Sequence, residues 1–282
     1  MRKILVVYKR SAFELYSESP DPTVRAFLEK GGAEVERMER SHHIQKDAHA
    51  RVLAALARTD FEVTAVSRGE FRSAEGADLV VTVGGDGTFL RASHGVRDQP
   101  VVGVNTDPDA SVGFFCTATA VNIASVLDHL EGLPRTTLHR LEVSIDGTSV
   151  GALALNDVLY AHSNPAAVTR YRVAVNGTDR YRRSSGFLVA TAAGSTGWMY
   201  QEGGRVMPIA DPRIQYVSRS VRGERPRFAK RIVLTSLTLE AQLFLDGIAT
   251  VERIALGSTV TVQGGTPLTV VGDLETRRRA LE

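Results

Sequence analysis

The sequence is short of cysteine. Cys116 is the single one among 282 residues, which excludes an intrachain disulfide and a cysteine-rich zinc site. It also lacks a surplus of charge. Lys and Arg number 34 against 32 Asp and Glu, a formal net charge of +2, too small for a nucleic-acid protein that works through bulk charge. No apolar run approaches the roughly 20 residues of a membrane-spanning helix. The apolar stretch inside the N-terminal MRKILVVYKR is too short for a signal peptide. These absences lead us to expect a cytoplasmic protein with neither a membrane nor a nucleic-acid partner. Two phosphate-binding signatures are missing as well. Without G-x-x-x-x-G-K-[S/T] the chain is not a P-loop enzyme, and without G-x-G-x-x-G after the first apolar run it is not an ordinary dinucleotide oxidoreductase. What is present, 43% hydrophobic and 23% charged residues, is ordinary for a folded globular chain and excludes intrinsic disorder.

The chain reads as two halves. Lys3–Tyr8, Phe61–Val66, Asp78–Val83 and Val101–Asn105 are apolar runs of strand length. Thr23–Lys30 (closed by Gly31-Gly32) and Ile44–Ala57 between the first two, and Thr119–Leu130 after the last, read as helices. Ile44, Ala48, Val52, Ala55 and Leu56 recur at helical spacing. Alternation of this kind predicts a parallel, doubly wound α/β sheet over residues 1–133. From Arg135 onward short β-like runs dominate, separated by Asp146-Gly147, Asn176-Gly177 and Asp246-Gly247, dipeptides favoured in two-residue hairpins. Residues 134–269 therefore read as a β-rich domain, and 270–282 as a short tail helix returning to the first.

Three stretches carry candidate chemistry. Val80–Leu90 (VVTVGGDGTFL) runs a buried strand into Gly84-Gly85-Asp86-Gly87-Thr88, with a helix expected to follow. Glycines let the backbone approach a ligand, and N–H groups at a helix start favour phosphate. Asp86 would then accept a proton from a hydroxyl nucleophile or organise Mg²⁺; the plain alternative is a tight turn with Asp86 as helix N-cap. Asn156-Asp157 pairs an amide with a carboxylate, a set that reads a base edge and a ribose hydroxyl, or simply ends a strand. Thr191–Trp198 (TAAGSTGW) offers small hydroxyl residues beside the single Trp, whose ring stacks on a planar ligand or fills a core.

Taken together and in this order, the three stretches resemble the NAD kinase family. The GGDGT element is shared with diacylglycerol and sphingosine kinases; LNDV (Leu155–Val158) and Gly194-Ser195-Thr196 are what separate the NAD kinases. Weaker similarity runs through Asn105–Phe115 and Leu243–Gly247. The resemblance implies an N-terminal Rossmann-like α/β domain of the GGDGT kinase type with a β-rich C-terminal domain. It implies transfer of a phosphoryl group from ATP or another donor to the 2′-hydroxyl of the adenosine ribose of NAD, giving NADP. Asp86 would be the catalytic base and touch the ribose. Gly84, Gly85, Gly87 and Thr88 would shape the donor-phosphate site. Asn105, Asn156, Asp157, Thr191, Ser195, Thr196 and Trp198, with Gly87, would line the NAD site. Mg²⁺ would be held mainly through the donor phosphates, with no metal site of the protein's own. A homodimer or homotetramer is implied. Ser184-Ser185-Gly186 lacks the Asp that many members carry before this Gly, and Gly197-Trp198 replaces Ala-Tyr. Both features are closer to the mitochondrial-type branch.

Arg180, Arg182 and Arg183, and then Arg219, Arg222, Arg225, Arg227, Lys230 and Arg231, are the basic groups available to balance phosphates. His42, His43 and His49 lack an HExxH arrangement and read as a polar helix start. Asn176-Gly177-Thr178 reads as a hairpin turn and Cys116 as a small buried residue. Two competing functions are a lipid kinase, which needs an apolar cavity or interfacial patch, and a non-catalytic NAD(P) sensor, against which the intact Asp86 argues.

Overall fold

Alternating apolar runs and helices build the first unit. The computed structural model describes residues 2–247 and 249–279. The chain divides into two compact units. The first comprises Met1–Ala92, Gln99–Arg135 and Val270–Leu274, and the second Ser93–Asp98, Thr136–Thr269 and Glu275–Glu282. Of the tail segment 270–282, residues 280–282 lie outside the described residues.

In the first unit the elements follow as β1 (Lys3–Tyr8), α1 (Ala12–Ser17), α2 (Pro22–Lys30), α3 (Ala33–Leu56), β2 (Glu62–Ser67), β3 (Leu79–Gly84), α4 (Asp86–Ser93), β4 (Val101–Asn105), β5 (Ala118–Thr119) and α5 (Ile123–Asp128). β1 pairs in parallel with β2 and β3, β3 with β4, and β4 with β5. Every residue of β3 and β4 is buried, the mark of a parallel sheet covered on both faces. Val52 and Leu56 of α3 and Ile123 and Leu127 of α5 pack with Ile4, Val6, Val81, Val83, Val102 and Val104 in one core.

Helix α3 is much longer than the expected Ile44–Ala57. Its N-terminal half, AEVERMERSHHIQ, is mostly polar and exposed, so its periodicity is faint, and Val35 is the residue buried there. Ile44 is 44% exposed and leaves the expected apolar stripe. It lines instead a groove of about 430 Å³ with Met38, Lys9 and Asp107. Helix α1 was not foreseen, although Ser11 and Glu14 spell its start: the Ser11 hydroxyl accepts from the Glu14 N–H at 3.0 Å.

The second unit is a sandwich. The strands that follow along the chain are β6 (Arg135–Leu138), β7 (Leu141–Ile145), β8 (Thr148–Ala154), β9 (Asp157–His162), β10 (Thr169–Val175), β11 (Thr178–Ser184), β12 (Phe187–Ala190), β13 (Ile214–Ser218), β14 (Arg227–Ala229), β15 (Arg231–Ser236), β16 (Ala241–Leu245), β17 (Thr250–Ile254), β18 (Thr259–Gly264) and β19 (Leu268–Val271). Helix α6 (Trp198–Gln201) follows β12, and α7 (Leu274–Arg279) closes the described chain. β19 and β6 join the edge of the parallel sheet, in the order β2-β1-β3-β4-β19-β6. The other strands form two antiparallel sheets, β11-β10-β15-β18-β7-β8 and β14-β13-β12-β9-β16-β17. Their inner faces interdigitate in one core that includes Leu141, Tyr171, Leu234, Val260, Tyr160, Phe187 and Leu243. The fold class read from the sequence, parallel α/β followed by a β-rich half, holds.

Two of the three expected hairpin turns are two-residue loops with both residues at positive φ: Asp146-Gly147 joins Ile145 to Thr148, and Asn176-Gly177 joins Val175 to Thr178. The third differs. Leu245 pairs with Thr250, so Asp246-Gly247 begins a longer loop, and the Asp246 side chain turns inward.

Candidate active site

The GGDGT segment leaves β3 at its carboxyl end and enters α4 at Asp86. Gly84 is obligatory: a Cβ there would stand 2.8 Å from the Thr88 Cβ and also strike its hydroxyl. Thr88 is 1% exposed, and its hydroxyl is buried without a hydrogen-bond partner. Gly85 is half-buried and Gly87 exposed, leaving their backbone open to a ligand. Asp86 is half-buried and is the first residue of the helix, where the positive end of the helix dipole favours a carboxylate. Its Oδ2 accepts the Phe114 N–H at 2.9 Å and its Oδ1 the Phe115 N–H at 2.8 Å. Each oxygen thus keeps one lone pair for a ligand.

Close packing brings those two amides into place. A Cβ on Gly103 would lie 2.6 Å from the Phe115 carbonyl, so the 113–116 segment lies directly against β4. Asn105, 5% exposed, ties the preceding loop: its amide donates to the Ser111 carbonyl at 3.0 Å and its carbonyl accepts the Asp107 N–H at 3.1 Å. Cys116 is buried.

A second knot forms in the sandwich unit, where the start of β9 lies beside the end of β12, with Asp157 opposite Ala190. The Thr191 hydroxyl donates to the Leu155 carbonyl at 2.5 Å and accepts the Gly194 N–H at 3.2 Å. Ser195 is fully buried. Its hydroxyl donates to the Ala192 carbonyl at 2.7 Å and accepts from the Met207 N–H at 3.0 Å and the Arg278 guanidinium at 3.1 Å. Gly194 lies so close to Asn156 that a Cβ would come within 2.6 Å of its carbonyl carbon. The Asn156 Oδ1 is buried without a hydrogen-bond partner, an acceptor left for a ligand. The Asp157 carboxyl, 8% exposed, is pushed up to about 7 by burial and by nearby Asp246, against the pull of Arg219.

Asp246 organises this knot. Its carboxylate accepts the N–H groups of Leu155 (2.8 Å), Asn156 (2.7 Å) and Asp157 (3.1 Å), and His94 Nε2 at 2.8 Å. The other ring nitrogen of His94 meets the Thr250 hydroxyl at 3.0 Å.

Beside the knot, on the outer face of the second sheet, a pocket of about 620 Å³ is lined by Trp198, Arg219, Ser185, His162 and Phe244 among others. The Arg219 guanidinium lies 4.4 Å from the Trp198 ring centroid and donates to Glu202 at 2.9 Å. Trp198 is thus a half-buried pocket wall, while Thr196 is exposed next to it.

The model described as ATP-NAD kinase N-terminal domain matches residues 23–132. The chain is 34% identical over 252 residues to a probable NADH kinase of Oryza sativa, covering 76% of this chain and 77% of the rice protein. To an NAD kinase of Methanoculleus marisnigri it is 33% identical over 226 residues, 72% of this chain and 77% of that protein. The chain belongs to the NAD kinase family. It also shares the fold of an NAD kinase from Archaeoglobus fulgidus solved in complex with ATP, with a TM-score of 0.69 at 23% identity over 99% of this chain and 96% of that one.

Membership makes the chain a phosphotransferase, and the NAD kinase motifs sort accordingly. Asp86, Gly85 and Gly87 gather at the end of β3, with Asn105 behind them as a loop former. Asn156, Asp157, Thr191 and Ser195 are brought together by hydrogen bonds, but the hydroxyls of Thr191 and Ser195 are taken up by the protein. Of the basic candidates, Arg219 is the one half-buried against Trp198; Arg182 pairs with Glu224 at 3.6 Å, and Arg183, Arg222, Arg225, Lys230 and Arg231 are exposed. Arg180 and Arg227 are exposed at a separate cavity shared with Phe187 and Tyr216. His42 bonds the Ser11 hydroxyl at 2.8 Å, and His49 stacks on Tyr8.

Sequence reasoning missed two members of the scaffold. Asp246 looked like a turn residue, and its LFLDG context was the available signal. Arg140, 1% exposed, left no signal at all. It donates to the carbonyls of Ser93, Val96, Arg97, Thr266 and Pro267, and burial, helped by repulsion from Arg97 and opposed by Asp246, lowers its pKa to about 10.

Proposed function

We propose that the chain transfers the terminal phosphoryl group of ATP, or of another phosphoryl donor, to the 2′-hydroxyl of the adenosine ribose of NAD, making NADP. Family membership supports the reaction class, and the observation that carries the reading is Asp86. Its carboxylate stands at the carboxyl end of β3, at a helix start, aimed by the Phe114 and Phe115 amides. In an open α/β sheet this is where ligands bind.

In the proposed step the ribose oxygen attacks the donor's terminal phosphorus. The bond from that phosphorus to the bridging oxygen breaks, the remaining phosphate leaves, and Asp86 takes the hydroxyl proton. Positioning and charge stabilisation supply most of the acceleration in phosphoryl transfer, with the base adding about 10²–10⁴-fold. Asn156 and Asp157 would hold the adenine and ribose, for which the unpartnered Asn156 Oδ1 and the carboxyl of Asp157 are suited. Trp198 would give a stacking face. Thr191 and Ser195 would act by fixing the loop.

Mg²⁺ would enter with the donor phosphates and neutralise their charge. Asp86, whose two carboxylate oxygens each accept a single backbone N–H, is the carboxylate at hand to meet such a phosphate-held ion. A homodimer or homotetramer and a cytoplasmic setting complete the reading; no described helix is long and apolar enough to cross a membrane. Light scattering tests the assembly. NADH is the second acceptor to try, since the rice relative is named a probable NADH kinase. The reading is tested by incubating the chain with NAD or NADH, ATP or polyphosphate, and Mg²⁺. NADP made from NAD is expected to be reduced by an NADP-specific dehydrogenase, and NADPH made from NADH to be oxidised by an NADPH-specific reductase; no such product with any pair would overturn it.

A further inference from the structure

Three neighbouring parallel strands, β2, β1 and β3, end level with one another. Tyr8 stands opposite both Ser67 and Val83. The residues that follow, Arg68, Lys9 and Gly84-Gly85, therefore emerge side by side at the carboxyl edge of the sheet. Backbone bonds pin the first two: the Arg68 N–H donates to the Tyr8 carbonyl at 2.8 Å and the Lys9 N–H to the Val83 carbonyl at 3.0 Å. Lys9 Cβ lies 3.3 Å from where a Cβ on Gly84 would stand, and Arg68 Nη1 lies 3.8 Å from the equivalent point on Gly87. The Arg68 guanidinium and the root of the Lys9 side chain thus flank the glycine loop.

Both are half-buried. Neither side chain has a hydrogen-bonded or ion-paired carboxylate among the described residues; Asp107 acts on Lys9 only at a distance. Burial lowers both pKa values, Arg68 repels Lys9, and Arg91 repels Arg68. Half-buried cations that repel one another and have no carboxylate in contact destabilise a fold unless a ligand supplies the missing charge. A chain of phosphates fits: it carries several negative charges, and an Arg fork with a Lys point charge is suited to its oxygens.

We infer that Lys9 and Arg68 form the cradle for the phosphate chain of the donor, a nucleoside triphosphate or an inorganic polyphosphate. The inference rests on the phosphotransferase reading above and adds the side chains that hold the donor. It separates them from Asp86, which serves the acceptor.

The test uses the full chain with Lys9→Met, Arg68→Met and the conservative Arg68→Lys. Calorimetry without acceptor measures binding of ATP and of tripolyphosphate, and steady-state kinetics measures KM for donor and acceptor separately. Each Met variant is expected to lose about tenfold or more in affinity for both probes and to show a donor KM raised about as much, with acceptor KM within about twofold and Arg68→Lys in between. Melting temperatures are expected to hold or rise, because an uncompensated charge is removed; this separates a ligand role from a structural one. Wild-type affinities for the two probes tell a nucleotide donor from polyphosphate. A loss for ATP alone, or a rise in acceptor KM with donor binding unchanged, would overturn the inference. If no dinucleotide is phosphorylated but tripolyphosphate binds in a Lys9- and Arg68-dependent way, the cradle stands and the acceptor reading falls.

Discussion

Removing the Asp246 carboxylate is predicted to damage the second unit more than its place beside a turn glycine suggests. The side chain is fully buried. Its Oδ1 accepts from Asn156 and Asp157 N–H, and its Oδ2 from Leu155 N–H and His94. In Asp246→Ala three backbone N–H groups lose their acceptor. Each costs about 1–3 kcal/mol if it stays dry, and some relax toward water, so we expect a net loss of about 3–5 kcal/mol. Asp246→Asn keeps one acceptor oxygen but turns an amide NH₂ toward the Leu155 N–H, and about half that loss is expected. His94→Gln removes one of the partners and is expected to cost about 1 kcal/mol. Thermal unfolding reads these as a fall of about 10 °C for the Ala variant at roughly 2–4 °C per kcal/mol. Because the same amides position Asn156 and Asp157, KM for NAD is expected to rise more than kcat falls. A loss below about 1 kcal/mol in Asp246→Ala would refute the reasoning, since no combination of three orphaned amides is that cheap.

Asp157 makes stability depend on pH. Burial and Asp246 push its carboxyl from 3.8 up to about 7, so the folded protein keeps a proton that the unfolded chain has lost. Stability is therefore expected to fall by a few kcal/mol as pH rises from about 4 to about 7 and to level off above, with this component absent in Asp157→Asn. If ribose hydroxyls donate to the ionised carboxylate, NAD affinity rises through the same window, and calorimetry in two buffers of different ionisation enthalpy shows proton release. Gly194→Ala places a methyl within 2.6 Å of the Asn156 carbonyl carbon, so the two loops must part. We expect a loss of about 2 kcal/mol or more and weaker NAD binding; an unchanged Tm would show that the loops are not held together there.

Both units were legible because their signals are local. The apolar β3 leading into glycines, and Asp-Gly or Asn-Gly between alternating strands, state strand, loop and turn in a few residues. The N-terminal half of α3 was not, since a polar helix with little buried surface leaves almost no period. Site residues split in the same way. Asp86 could be read from its motif. Asp246 was marked only as part of LFLDG and Arg140 not at all, because their roles depend on backbone groups up to 91 and 127 residues away. Thr191 and Ser195 carry the right chemistry for a ligand, and the fold spends it on its own carbonyls and amides.

The most direct test is turnover by wild type and Asp86→Asn with NAD, ATP and Mg²⁺, followed as NADP formation. An amide at position 86 can still accept one of the two backbone N–H bonds but cannot take the hydroxyl proton. The account predicts NADP from the wild type, and in Asp86→Asn a kcat about 10²–10⁴-fold lower with NAD still bound. Turnover in the variant close to that of the wild type would contradict the assignment of Asp86 as the base.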